Sequence, residues 1–371
     1  MRVGFDARWY NDSGIGVYVT DLLCALAASP RNCEFIVYEN AENPLPQLEE
    51  NHLTRVPVRA SRYSLAAQIE LRRRAQQDRL DVFHCPFYAV PLRLTCPLVV
   101  TVHDLIPFLH RIYPWPKQAA IKLGYWAAVK RANCVIAVSA TTAADLHRIL
   151  GVPEQRIATV LNAVPSEFSA AEKITGELKS LQERYDFRSP YVVVSSARNW
   201  RTKNLQGALK ALEIATGRTQ IKFQTVIYGP SAGIDALDSG WEGLDLRRIG
   251  YIQRPDLATL FRHAQAFLMP SLYEGFGRPI LEAMACGCPV ITSNAGALLE
   301  VAGRGAQVFA PDDCAGMGAA VAKLLADPDM RRCWQGNALA RAQDFSWDKA
   351  AQETISVYHR IHAQALAART S

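Results

Sequence analysis

Apolar residues follow two alternating patterns along this chain: short runs rich in Val and Ile, and longer stretches with helical spacing. In the first half, the short runs predict strands over residues 2–6, 33–39, 82–84, 97–102 and 134–138. Stretches with a period near 3.6 predict helices over residues 16–28, 65–78, 119–132 and 141–150. Because strands that alternate with helices build parallel sheets covered by helices, this half is predicted to be an α/β domain.

The second half of the chain restarts the same pattern after a charged stretch at 170–189, which is interpreted as a linker. Strands are predicted over residues 191–196, 222–228, 247–250, 266–269 and 289–293, and helices over 316–326, 330–344 and 347–368. A length of 371 residues also suits two domains. We therefore expect an N-terminal domain over residues 1–169, a second domain over 170–346 and a final helix over 347–371.

Composition and charge narrow the class of protein. The chain is 49% hydrophobic and 20% charged, which is typical of a soluble globular protein. It has no run of about eighteen apolar residues, so no transmembrane helix is expected, and residues 1–6 are typical of a strand and not of a signal peptide. Nine scattered cysteines without a Cys-x-x-Cys pair favour a reducing cytoplasm. The net charge of +6 suits a nucleotide or an anionic lipid, and no motif indicates nucleic acid as a partner.

The most informative segment is residues 270–287, PSLYEGFGRPILEAMACG, which follows a predicted buried strand. It places Glu274 and Glu282 on either side of a glycine-containing turn and the start of a helix. Gly275 and Gly277 allow the backbone to approach a ligand closely, and Pro279 is tolerated in a first helical turn. Free N–H groups at a helix start favour an anionic or hydroxyl-rich ligand.

This segment, together with the CGCPVI string at 286–291, resembles the donor-sugar signature of the retaining, nucleotide-sugar-dependent glycosyltransferases of family 4. The resemblance implies the GT-B fold, in which two Rossmann-like parallel-sheet domains face each other across an interdomain cleft and the last helix crosses back to the N-terminal domain. It also implies that Glu274 contacts the transferred sugar and that Glu282 binds the ribose. The loop around Gly275, with the N–H groups of Phe276 and Gly277, would orient the sugar.

Three further motifs fall at predicted strand ends or helix starts, where ligands of α/β sheets bind. Arg198 and Lys203 resemble the family's paired cations on the donor diphosphate, and both side chains suit phosphate. Gly14 and Gly16 resemble the glycine loop beside the donor phosphates and sugar, although such a pair is also a common turn. His103 resembles the strand-end histidine that contacts the transferred sugar, the simpler interpretation being a histidine that caps a strand.

Neither a metal nor another cofactor is expected, because no Asp-x-Asp string follows a predicted strand and the histidines are scattered. The full dinucleotide fingerprint is missing, which disfavours a nicotinamide cofactor. No side chain is an obvious covalent nucleophile, so the resemblance implies same-face attack, with the departing phosphate accepting the acceptor's proton.

The FDAR string at 5–8 and the HDLIP string at 103–107 resemble bacterial mannosyltransferases of surface-polysaccharide or lipopolysaccharide assembly. This resemblance implies GDP-mannose as donor and a saccharide acceptor, expected to be lipid-linked and at the cytoplasmic face of the membrane. A UDP-hexose donor stays open. A phosphorylase or epimerase of the same fold is a second enzyme class, against which the Glu274–Glu282 loop with a single donor-type cation pair favours the transferase. A non-catalytic polyanion-binding protein with this fold is a further alternative. Glu274→Ala would separate it from an enzyme, because binding would survive in a scaffold and transfer would be lost in an enzyme.

One segment suggests contact with a membrane or a lipid-linked acceptor. Residues 111–131 combine four aromatic residues with five cations. The alternative is an ordinary surface helix whose aromatic residues are anchored in the core. The residues concerned are Tyr113, Trp115, Tyr125 and Trp126, with Arg111, Lys117, Lys122, Lys130 and Arg131.

Overall fold

The computed structural model describes residues 1–10, 13–30, 33–46, 53–62, 64–91, 93–170, 175–196, 200–230 and 240–370. Contacts between residues divide the chain into two units. Met1–Asn162 and Ser346–Ser371 form the first, called here the N-terminal unit, and Ala163–Phe345 form the second, the C-terminal unit.

The N-terminal unit is built on a seven-stranded sheet in which every neighbouring pair of strands is parallel. The strand order is β3-β2-β1-β4-β5-β6-β7. Its elements, in chain order, are β1 Arg2–Asp6, α1 Ser13–Ala28, β2 Glu34–Asn40, β3 Leu53–Val58, α2 Leu65–Gln77, β4 Val82–Cys85, β5 Leu98–Val102, α3 Ile106–Leu109, α4 Trp115–Arg131, β6 Cys134–Ala137, α5 Ala140–Leu150 and β7 Ile157–Thr159.

The C-terminal unit contains a six-stranded, fully parallel sheet with the strand order β10-β9-β8-β11-β12-β13. Its elements are α6 Thr175–Tyr185, β8 Tyr191–Ser195, α7 Trp200–Lys203, α8 Leu205–Arg218, β9 Gln224–Tyr228, β10 Leu246–Gly250, α9 Arg254–His263, β11 Ala266–Met269, α10 Arg278–Ala285, β12 Val290–Ser293, α11 Leu298–Ala302, β13 Ala306–Phe309, α12 Cys314–Ala326 and α13 Pro328–Ala342. The last helix, α14 Trp347–Thr370, belongs to the N-terminal unit.

Helix α14 completes the core of the N-terminal unit. It packs along α1, and its apolar residues Val357, Tyr358 and Ile361 join the same buried cluster as Leu22 and Val19 of α1. The central strands are covered on both faces, which explains why they are almost continuously apolar.

The predicted fold class is confirmed: both halves are parallel α/β domains. Three edge strands, β3, β7 and β13, were not predicted from the sequence. They are short or half exposed, so their sequences lack the buried apolar run.

The stretch interpreted as a linker contains the helix α6, which packs on α9. Its charged side chains face solvent or pair across the surface, as Arg184 does with Asp256 at 2.6 Å, and this charge conceals the helix in the sequence. The contact boundary after Asn162 lies seven residues before the predicted domain boundary.

None of the helices in the described ranges is both long and apolar enough to cross a bilayer.

Candidate functional site

The loop between β11 and α10, residues 270–277, is held in one shape by close backbone packing. Gly277 caps α10 with φ +93°, and a Cβ there would lie 2.6 Å from a methyl group of Leu298. The carbonyl of Glu274 accepts a hydrogen bond from the N–H of Ala297 at 2.9 Å. Phe276 is buried against Phe345, with ring centroids 5.9 Å apart. The backbone of Glu274 is therefore fixed at the carboxyl end of the sheet.

Lys203 and Glu274 form an ion pair at this edge. The ammonium Nζ lies 2.8 Å from Glu274 Oε1, and each side chain is only 13% exposed. Lys203 ends α7, which follows β8, while Glu274 follows β11, and these two strands are paired. Neighbouring parallel strands thus bring a cation and a carboxylate together where α/β sheets bind ligands. Such a pair suits a ligand that has both phosphate oxygens and hydroxyl groups.

The second glutamate of the motif also lies beside a cation. Arg278 Nη2 is 3.4 Å from Glu282 Oε1, one turn along α10, and these side chains are 14% and 13% exposed. The sequence did not single out Arg278, because an i, i+4 pair on one helix is common. The low exposure of the Arg278 side chain distinguishes this pair from an ordinary surface pair on a helix.

Tyr228, the last residue of β9, is a further group that the sequence did not indicate. Burial raises the pKa of its phenol, and the negative charges of Glu282 and Glu274 nearby raise it further. The hydroxyl therefore stays protonated and can donate a hydrogen bond at neutral pH.

Gly229 brings the loops after β8 and β9 into direct contact. It has φ +112°, and a Cβ there would lie 2.3 Å from the carbonyl oxygen of Ser196. Arg198, one of the predicted cations, lies outside the described residues, as does the stretch 231–239.

In the N-terminal unit, the two predicted glycines lie in the first turn of α1. An added Cβ at Gly16 would lie 1.9 Å from the carbonyl oxygen of Tyr10, so only glycine fits this packing. A Cβ at Gly14 would meet no atom within 4 Å. Gly16 is thus required by the fold, whereas space for a ligand remains at Gly14.

His103 follows β5 and is half buried. Its Nε2 lies 2.9 Å from the carbonyl oxygen of Pro86, and since a carbonyl only accepts, we assign the proton to Nε2. The rings of Tyr18 and His103 pack in a T-shaped arrangement, with their centroids 4.7 Å apart. These contacts fix the ring at the carboxyl end of the N-terminal sheet.

His84, interpreted from the sequence as structural, is fully buried in a polar network. Its ring nitrogens bond Tyr358 Oη at 2.6 Å and Thr101 Oγ1 at 2.8 Å, and Thr101 also bonds Tyr18 Oη at 3.1 Å. Burial, together with the charge of His103, lowers the pKa of His84 to about 3. The ring is therefore neutral and ties α14 to the strands that carry His103.

Among the residues that the structure describes, no three His, Cys, Asp or Glu side chains are grouped as metal ligands.

Each of the two units matches a family model of known glycosyltransferases. Residues 13–168 match the family model described as Glycosyltransferase Family 4, and residues 181–341 match the model Glycosyl transferases group 1. The chain is 29% identical over 378 residues to the O-antigen chain mannosyltransferase B of Escherichia coli, covering 94% of this chain and 96% of that protein.

Two solved structures show the same fold. Sucrose-phosphate synthase from Thermosynechococcus elongatus superposes with a TM-score of 0.77 at 19% identity, covering 98% of this chain and 100% of that one. HepE of Anabaena in complex with UDP-glucose gives a TM-score of 0.73 at 16% identity, over 99% and 100% of the two chains. The chain thus belongs to the family 4 and group 1 glycosyltransferases, and it has the GT-B fold.

Proposed function

We propose that this glycosyltransferase moves a hexose, with mannose from GDP-mannose as the first candidate, onto a hydroxyl group of a saccharide acceptor in surface-polysaccharide synthesis. Retention of anomeric configuration and independence of a metal ion are part of the proposal. The observation that carries the proposal is the largely buried Lys203–Glu274 pair at the carboxyl end of the C-terminal sheet. The similarity to an O-antigen mannosyltransferase over nearly the whole chain supports the choice of sugar and pathway class.

The leaving group sets the main catalytic demand. When the sugar C1–O bond breaks, negative charge develops on the β-phosphate, and a fixed cation placed there stabilises it. Lys203 is paired with Glu274 and only 13% exposed, and it is the cation proposed for this task, together with Arg198. With this charge supplied by side chains, no metal ion is required at the diphosphate.

The transfer itself needs no protein nucleophile. The acceptor oxygen bonds to C1 on the face that the diphosphate leaves, and the acceptor's proton passes to a phosphate oxygen of the departing diphosphate. Glu274 accepts hydrogen bonds from sugar hydroxyls, with the N–H groups of Phe276 and Gly277 beside it, and Glu282 accepts from the ribose. His103 is proposed to orient a hydroxyl group of the transferred sugar.

A thermal-shift screen tests the donor site. The purified chain is melted with GDP, GDP-mannose, UDP and UDP-glucose, first with EDTA and then with magnesium. A ligand at about 100 times its Kd stabilises its protein by about 2.7 kcal/mol, which is about 5–10 °C for a domain of this size. We expect this shift with the guanosine compounds and no dependence on magnesium.

Two variants make the screen specific. Lys203→Ala is expected to abolish the shift, whereas Lys210→Ala, which removes an exposed cation paired with Glu213 on the next helix, leaves it intact. A shift with uridine compounds alone would replace the proposed donor with a UDP-hexose. No shift with any nucleotide would favour the non-catalytic alternative.

We further propose that α4 carries the chain to an anionic membrane surface at the cytoplasmic face, where a lipid-linked acceptor would be met. One face of α4 is anchored in the core by Tyr125, and Gly124 fits against the Tyr88 ring. The other face exposes Trp115, Leu123 and Trp126 by 80%, 65% and 50%. Amphipathic aromatic residues among cations are typical of membrane-interface helices.

Charge favours a lipid surface over a protein partner for this face. No Asp or Glu occurs between Asp104 and Asp145, whereas five Lys and Arg residues do. Lys130 lies over the Trp126 ring at 5.5 Å, so cation and aromatic would enter the interface together. Each such cation near anionic lipid contributes about 1 kcal/mol.

Sedimentation with phosphatidylcholine vesicles, with and without phosphatidylglycerol, tests this. We expect binding only with the anionic lipid, its loss at high salt, and its loss in Trp126→Ser. Tyr251→Ser, which removes an aromatic ring that is 75% exposed in the other unit, is the control. Equal binding by Trp126→Ser and the parent chain would rule out α4 as the membrane contact.

A further inference from the structure

Asn204, which directly follows Lys203, has an uncommon backbone conformation. Its φ of +52° and ψ of +46° lie in the left-handed region, which L-residues other than Asn and Asp rarely occupy. The side-chain Oδ1 accepts a hydrogen bond from the N–H of Gly207 at 3.2 Å and so caps α8. A glycine would meet the backbone requirement, and the cap uses only Oδ1, so the amide nitrogen Nδ2 needs a separate explanation.

The amide group of Asn204 joins three strand-end loops. Its Nδ2 donates to the carbonyl of Pro270 at 3.0 Å and to the carbonyl of Pro311 at 2.9 Å. Pro270 directly follows β11 and Pro311 follows β13, while Asn204 itself comes after β8. One side chain thus satisfies two carbonyls at the same edge of the sheet that carries Glu274.

A second tether lies on the other side of Lys203. The carbonyl of Thr202 accepts a hydrogen bond from the N–H of Leu272 at 2.7 Å, and Thr202 is only 4% exposed. Lys203 is therefore enclosed between two links to residues 270 and 272, the segment that leads into Glu274. In this arrangement the ammonium and the carboxylate lie 2.8 Å apart.

We propose that Asn204 is a positioning residue that fixes the Lys203 ammonium at the place of the donor's diphosphate. The inference rests on the proposed role of Lys203. Asn204 does not contact the nucleotide itself. It acts by holding the backbone of Lys203 against the loop of Glu274, since a cation preorganised in this way loses no freedom when the diphosphate arrives.

The test is calorimetric titration with GDP and, in parallel, with UDP, of variants whose melting temperature is also measured. Asn204→Gly keeps the left-handed backbone without strain and removes both the tethers and the side-chain cap of α8. Asn204→Asp keeps the cap acceptor but turns a carboxylate towards two carbonyls. Both variants are expected to bind the diphosphate about 10-fold more weakly. This factor corresponds to the loss of about one hydrogen bond to a charged group. Asp186→Gly is the control, because Asp186 is also left-handed, with φ +53°, and its side chain is 84% exposed.

A double variant separates positioning from general loosening. In a Lys203→Ala background, Asn204→Gly should cause no further loss of affinity, because its effect passes through the missing ammonium. If Asn204→Gly lowers the affinity of the Lys203→Ala chain by the same factor as it lowers that of the parent chain, the positioning role is overturned. The same follows if Lys203→Ala binds more weakly and Asn204→Gly binds like the parent chain. Neither result would affect the proposed function. If Lys203→Ala binds the diphosphate like the parent chain, or if the parent chain binds neither nucleotide, the proposed function fails, and this inference fails with it.

Discussion

The ion pair between Lys203 and Glu274 leads to a prediction of unusual sign. In the ligand-free chain the carboxylate occupies the cation that the diphosphate is proposed to use. A nucleoside diphosphate without its sugar makes no favourable contact with Glu274 and must compete with the Glu274 carboxylate for Lys203. Replacing this carboxylate by the isosteric amide, Glu274→Gln, should therefore tighten the binding of GDP while it lowers the rate of sugar transfer.

The size of the effect follows from the geometry. Two unit charges 2.8 Å apart attract by about 6 kcal/mol at an effective dielectric constant of about 20. Desolvation offsets much of this, and measured couplings between contacting residues are about 0.5–3 kcal/mol. A gain of about 1–2 kcal/mol for the free diphosphate corresponds to about 5- to 30-fold tighter binding. The ligand-free variant should melt at a lower temperature, because Lys203 is left as a partly buried cation without its carboxylate.

Calorimetric titration with GDP and UDP at fixed ionic strength measures the effect. Glu282→Gln is the informative comparison, since loss of the proposed ribose contact should weaken binding, the opposite sign. Glu213→Gln removes an exposed carboxylate of the same unit and should change nothing. If Glu274→Gln binds the diphosphate no more tightly than the parent chain, the carboxylate does not compete for Lys203 and the reasoning is refuted.

Three further predictions concern the N-terminal unit. The pKa of His84 is lowered to about 3 in the folded chain, so the unfolded chain takes up a proton at a higher pH than the folded chain does. The free energy of unfolding should therefore fall as the pH falls from about 6.5 towards 3, by about 2 kcal/mol between pH 7 and pH 5. Denaturant unfolding at the two pH values measures this, and an equal pH dependence in His84→Gln would assign the effect to other groups. Gly16→Ala should lower the melting temperature, since its Cβ would overlap the Tyr10 carbonyl. Gly14→Ala should not lower it, because its Cβ meets no atom and alanine suits a helix, and its effect should fall on transfer; the opposite ranking would contradict the packing. His103→Ala should lower the turnover number with little change in the affinity for GDP, because the proposed contact is with the sugar; equal loss of GDP affinity would place this histidine at the nucleotide instead.

The sequence predicted the central strands well and the sheet edges poorly, for one physical reason. Strands such as β5 and β8 are buried along their whole length, so every position is apolar or small and the run is visible. The edge strand β3 carries Arg55 and Pro57 on a half-exposed surface, and β7 has only three residues. Neither contains enough buried positions to form a pattern.

The candidate site shows a similar division. Lys203 and Glu274 were predicted from local motifs, and the fold brings them into contact. Asn204 lies inside one of those motifs, but its function as a link between loops depends on two carbonyls 66 and 107 positions away. The bond between His84 and Tyr358 spans 274 positions. Contacts of this kind arise from the tertiary fold and leave no local signal.

The return of α14 to the N-terminal unit has a consequence for synthesis on the ribosome. Residues 1–162 emerge first, yet the helix that supplies Tyr358 and Ile361 to their core emerges only after residues 163–345. The C-terminal unit, Ala163–Phe345, is continuous and has all its strands available earlier. Domains generally fold in the order in which they are made. Here the core of the first unit stays incomplete, with Val19 and Leu22 of α1 uncovered, until the second unit has been translated. A nascent chain of this protein therefore passes through a long interval in which this apolar face of α1 is open to chaperones.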